Sequence, residues 1–162
     1  MKRGAIKYYI LVGVICIGVF VFFYYYKSYH KTREEVDYPI YLSSEYYESN
    51  SFIQIDHTDI SKLNKKNYVL FTYNNYCTFP ISCESIFEKF MNEENIAFQS
   101  IPIEEFKKTS FYQEVKYAPS VMVISRGRII SYLDANSDLD LVKYQDVDEF
   151  RKWIGEYIYF DN

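Results

Sequence analysis

The chain has 162 residues, 49% of them hydrophobic and 20% aromatic, and a formal net charge of −4. From residue 51 onward 12 basic side chains stand against 17 acidic ones, which argues against the basic face of a nucleic-acid binder. Five Gly and four Pro argue against a low-complexity chain, and the two histidines, His30 and His57, have no cysteine close to either; neither a zinc site nor a cofactor is expected.

Residues 1–7 form a short basic N-terminus with Lys2, Arg3 and Lys7. Residues 8–26, YYILVGVICIGVFVFFYYY, carry no charge. At 1.5 Å per residue such a helix spans about 28 Å, close to the hydrocarbon thickness of a bilayer. Tyr8, Tyr9 and Tyr24 to Tyr26 sit at its ends, where amphipathic rings favour the interface. The segment is read as a single transmembrane helix. A cleaved signal peptide would need a shorter apolar run and a small-residue cleavage site. Ile15 precedes Cys16 where a lipoprotein signal would carry a small residue. Three basic residues follow the span (Lys27, Lys31, Arg33), matching the three before it, so charge alone does not orient it. A short basic N-terminus ahead of a span and a folded domain places that domain on the extracytoplasmic side of the cell membrane.

Residues 27–50 are polar, charged and rich in Tyr, and are read as a solvated juxtamembrane linker. Residues 51–162 are read as one domain. A short strand is expected over 51–55 and a short helix over 58–64, capped by Thr58 or Asp59. YVLFTY (68–73) is a buried strand, followed by a loop containing a cysteine. A helix over 82–94 places Ile86, Phe87, Phe90 and Met91 on one face. IAFQSIPI (96–103) is the next strand, with Pro102 near its end. Residues 104–116 read as mostly helical until Tyr117-Ala118-Pro119 breaks the pattern. Strands over 120–125 and 128–133 flank Arg126-Gly127, the spacing of a tight hairpin. An amphipathic helix over 146–158 opens with Asp146 and carries Glu149 three residues on, a capping-box arrangement. Alternating strands and helices followed by a hairpin predict an α/β fold, a mixed sheet flanked by helices.

Three features, taken in order, resemble the thioredoxin superfamily over about residues 51–159. Cys77 follows the strand YVLFTY by four positions and stands directly after an aromatic, Tyr76. Ala118-Pro119-Ser120, with Pro119 42 residues after Cys77, is similar to the family's cis-proline segment. VMVISRGRIISYL is similar to its terminal hairpin. Two features depart from the family. The cysteines lie in the run Cys77-Thr-Phe-Pro-Ile-Ser-Cys83, a Cys-x5-Cys spacing, and Phe71 stands where many thioredoxins bury an acid.

The resemblance implies thiol–disulfide exchange, with Cys77 as nucleophile at a helix N-terminus and Cys83 as the resolving thiol. It implies that Tyr76, Ala118 and Pro119 contact an extended substrate, paired as an added strand. Six residues along an uninterrupted helix turn about 600°, so residues 78–82 must form a loop if the cysteines are to pair. The residues themselves are also compatible with a static disulfide or with two thiols, and Pro119 with an ordinary trans bond. Expected partners are disulfide- or thiol-containing exported proteins or peptides, together with a membrane redox partner or exporter complex. The alternative function is a redox-inactive accessory subunit. The acidic run 134–140 lacks the Gly and terminal Glu of a calcium loop and reads as solvated.

Overall fold

The computed structural model describes residues 18–21, 38–74, 83–134 and 136–160. The chain divides into two units, Met1–Val36 and Asp37–Asn162. Of the first, only residues 18–21 are described, and they are helical and exposed. Among the described residues no helix is long and apolar enough to cross a membrane. Apart from those four residues, the expected span over 8–26 lies outside the described residues.

The second unit is built on a five-stranded sheet. In chain order its elements are β1 (Phe52–Gln54), α1 (Asp59–Lys62), β2 (Asn67–Tyr73), α2 (Cys83–Glu94), β3 (Phe98–Pro102), α3 (Ile103–Phe106), β4 (Ser120–Ser125), β5 (Arg128–Asp134) and α4 (Val147–Ile154). The strand order is β1-β3-β2-β4-β5. β3 runs parallel to both β1 and β2, while β4 is antiparallel to β2 and β5. The parallel strands need crossovers, which α1 and α2 lie within; β4 and β5 need only a turn. That turn holds Arg126 at φ 48° and Gly127 at φ 73°, the two positive angles that a two-residue hairpin of the right twist requires. A Cβ on Gly127 would also stand 3.1 Å from Asn64 Oδ1.

Side chains alternate across each strand, and register sorts them into two layers. Phe52, Phe71 and Phe98 share one face, where they meet Phe87 and Phe90 of α2 and Phe150 of α4. Tyr68, Leu70, Thr72 and Gln99 share the other, with Tyr46 hydrogen-bonded to Gln99. α2 and α4 are tied at their rims by Arg151, which bonds Glu94 at 2.7 Å and also pairs with Glu93 and Asp148.

Several expectations require correction. The linker expected over 27–50 is packed from residue 38: Ile40, Leu42 and Tyr46 are buried. Ile40 N–H donates to Tyr157 O at 2.8 Å, Tyr159 N–H donates to Ile40 O at 2.9 Å, and Ala97 N–H donates to Tyr46 O at 2.8 Å. The alternation of Ile40 and Leu42 was hidden among exposed tyrosines, so the compact unit begins at Asp37 and not at residue 51. The helix expected over 104–116 is α3 followed by a 3-10 turn, Ser110–Gln113. Thr109 separates them in an extended conformation, its hydroxyl donating to Phe106 O at 2.8 Å, an example of a short hydroxyl competing with the helix. α4 stops at Ile154; Ile158 N–H still bonds Ile154 O at 3.0 Å, while Tyr157 O and Tyr159 N–H turn to Ile40. Thr58 caps α1 with no side-chain bond; Asp56 Oδ1 accepts from its amide at 2.7 Å and its hydroxyl at 2.6 Å. The Asp146 cap holds as expected, its Oδ1 accepting from Asp148 N–H at 2.8 Å and Glu149 N–H at 3.1 Å.

Candidate functional site

The carboxyl ends of β1, β3 and β2 and the amino end of β4 lie along one edge of the sheet. Buried parallel strands leave loops at that edge, and a cleft residue there is carried by rigid elements. Three of the sequence-predicted site residues can be placed. Cys83 is the first residue of α2 and is 4% exposed. Ala118 is half-buried and Pro119 buried, and the bond between them is cis, as the resemblance implied. The other two, Tyr76 and Cys77, lie outside the described residues.

Pro119 leads directly into β4. Ser120 Oγ donates to Tyr117 O at 2.8 Å across the proline, closing the turn on itself, while Tyr117 stands 53% exposed beside it. Phe71, expected in the place of a buried acid, is buried with its ring 5.2 Å from Phe87 and 5.4 Å from Phe52. No carboxylate can act from that position, so a proton relay through it is excluded.

A residue absent from the sequence-based site joins its parts. Tyr144, in the 3-10 turn Leu141–Tyr144, is 1% exposed. Its hydroxyl lies 2.6 Å from Leu133 O and 3.2 Å from Pro119 O. Burial pushes its phenol well above the ordinary value; a hydrogen bond with Ser120 opposes that shift, and the proximity of Cys83 adds to it. The signal in the sequence was slight: one Tyr among 19, in a stretch between the acidic run and the last helix that carries no predicted element.

Elsewhere on the same edge, His57 Nδ1 and Glu105 Oε2 are 2.5 Å apart, and Lys108 bonds the same carboxylate at 2.6 Å. Lys108 first, then His57, holds the Glu105 carboxyl below its usual range. The acidic run folds on itself, with Asp134 N–H donating to Asp140 Oδ2 at 3.2 Å and Asn136 N–H to Asp134 Oδ1 at 2.9 Å. Among the described residues no cluster of three or more His, Cys, Asp or Glu is placed to hold a metal ion.

No protein-family model matches the chain, and no curated protein matches it. Solved structures do. A thioredoxin from Entamoeba histolytica carrying a cysteine-to-serine substitution is 14% identical, with a TM-score of 0.44, covering 58% of this chain and 96% of its own. A thioredoxin from Malassezia sympodialis is 16% identical, with a TM-score of 0.45, over 69% of this chain and 93% of its own. A thioredoxin from Nicotiana alata is 15% identical, with a TM-score of 0.46, over 72% of this chain and 98% of its own. It is the molecule's own geometry, the order β1-β3-β2-β4-β5 with a cis-proline entering β4 and a terminal hairpin, that makes this fold thioredoxin-like.

Proposed function

We propose that this chain is a membrane-anchored thiol–disulfide oxidoreductase acting outside the cytoplasm on exported proteins or peptides. The observation that carries the reading is the placement of Cys83 at the start of α2 in a fold whose β4 is entered through a cis-proline. A helix N-terminus favours a thiolate through its unpaired N–H groups and dipole. The neighbouring backbone of Ala118 offers an edge to an extended substrate.

In this mechanism the Cys77 thiolate attacks one sulfur of a substrate disulfide. The S–S bond breaks, and its second sulfur leaves as a thiolate that takes up a proton. Cys83, deprotonated, then attacks the Cys77 sulfur of the mixed disulfide. That releases the substrate's second thiol and leaves Cys77 and Cys83 joined. The substrate gains two electrons and the cysteine pair loses two; the reverse sequence oxidises a substrate dithiol.

The test uses the full chain with Cys83→Ser. Resolution is then blocked, and mixed disulfides accumulate through Cys77. Absence of any trapped partner, together with no insulin reduction and no oxidative refolding by the unaltered chain, would overturn the proposal. A reduction potential for the pair below about −300 mV would mark a structural bridge instead. Protease added to intact cells should cleave the domain if it faces outward.

The buried Phe71 favours a second reading, a thioredoxin-like accessory subunit without turnover. An unimpaired phenotype in the Cys77→Ala/Cys83→Ala double variant would select it.

A further inference from the structure

Tyr144 is a buried ionisable group to which the exchange chemistry gives no role. Its ring meets Phe87 edge-on, with centroids 5.9 Å apart, and Phe87 lies one turn along α2 from Cys83, on the same side of the helix. Its hydroxyl has one proton, shared between two carbonyls: Leu133 O at 2.6 Å takes the shorter bond and Pro119 O at 3.2 Å the longer one. Leu133 is paired with Val121 of β4. One side chain therefore spans α2, β5 and the turn ahead of β4. Burial keeps the phenol protonated, so the donation persists across the ordinary pH range.

We propose that Tyr144 is a positioning residue for the peptide-accepting edge: its hydroxyl fixes the Pro119 carbonyl, and with it the Ala118 backbone, against the helix that starts at Cys83. This deepens the exchange reading and rests on it for the identity of the ligand, an extended peptide. Tyr144 takes no part in the sulfur exchange itself. A ring that only filled space would need no donor at two carbonyls, and Phe would serve as well.

The experiment separates the hydroxyl from the ring and peptide binding from turnover. The full chain with Cys77→Ser and Cys83→Ser is titrated with carboxymethylated insulin B chain, with and without Tyr144→Phe. Loss of one such donor should weaken binding about three- to tenfold. Tyr68→Phe serves as the control, since Tyr68 is equally buried on the opposite face and its hydroxyl has no partner among the described residues. It should leave binding unchanged. Equal weakening by both substitutions, or unchanged binding in Tyr144→Phe, overturns the proposal, as does failure of the parent chain to bind the peptide. A second readout needs no variant: with labelled tyrosine, the Tyr144 ring resonance should move when peptide is added, and a stationary resonance overturns the proposal. Insulin reduction by the chain with intact cysteines is measured separately. Its absence counts against the exchange function and leaves the binding result to judge Tyr144.

Discussion

On one face of the sheet Phe52, Phe71 and Phe98 meet Phe87, Phe90 and Phe150 ring against ring; on the other, Tyr46, Tyr68, Thr72 and Gln99 carry hydroxyls and an amide to the same depth. The first face is largely aromatic, and its centroid spacings of 4.8 to 6.5 Å fall in the range where aromatic pairs attract beyond their buried area. On the second, Gln99 Nε2 donates to Tyr46 OH at 3.0 Å. Tyr68 OH, Thr72 Oγ1 and Gln99 Oε1 have no partner there among the described residues. Buried polar atoms in that state oppose folding. The aromatic face therefore supplies the surplus of stability, and it is also the face that carries α2, α4 and Tyr144. The candidate site is mounted on the aromatic face of the sheet.

The sharpest way to break this contrast is Phe87→Ala. Phe87 touches Phe71, Phe98, Phe150 and Tyr144 and is fully buried. The expected loss is about 3–5 kcal/mol in denaturant unfolding, a large part of a typical domain's stability of about 5–15 kcal/mol. A loss below that of a surface change would show that the two faces are equal after all.

Tyr46→Phe probes the other face. It strands the Gln99 amide that it now accepts from, and should cost about 1–3 kcal/mol by the same measurement. Asp146→Ala removes the cap of α4 and should cost about 1 kcal/mol, seen as a shift of the midpoint with the slope unchanged.

Tyr68→Phe should have the smallest effect at neutral pH: stability unchanged or raised by up to about 1 kcal/mol, because the lost hydroxyl has no partner among the described residues. Its signature lies at high pH. Burial, acting first, raises the phenols of Tyr46, Tyr68 and Tyr144 above their ordinary value. Each then contributes stability that is whole below about pH 10 and is lost as pH rises from there through the folded value. A pH series of unfolding midpoints should fall above that point, less steeply in Tyr68→Phe. Equal slopes would remove Tyr68 from the alkaline transition.

The sheet was legible because its signals are local. YVLFTY, the Arg126-Gly127 turn and the Asp146 cap each state their geometry within a few residues. So was the proline edge, since Ala118-Pro119-Ser120 leads into a run of six buried residues. Tyr144 was illegible for the opposite reason: its partners, Pro119 and Leu133, lie 25 and 11 residues away, and nothing in its neighbours marks it as buried. The segment from Ile40 to Tyr46 was misread because its apolar residues are few and set among polar ones. They pack against Tyr157 and Ala97, contacts between residues far apart in sequence that no periodicity reveals.

That segment has a mechanical consequence. Ile40 is laced to Tyr157 and Tyr159 by two backbone bonds, Tyr41 stacks on Tyr159 at 4.7 Å, and Tyr47 OH both accepts from Leu42 N–H and donates to Tyr159 O at 3.0 Å. Tension arriving along the chain from residue 37 meets this clasp before it reaches any strand of the sheet. A tag or truncation that disturbs residues 157–160 would loosen this clasp, although it lies far from the cysteines in sequence.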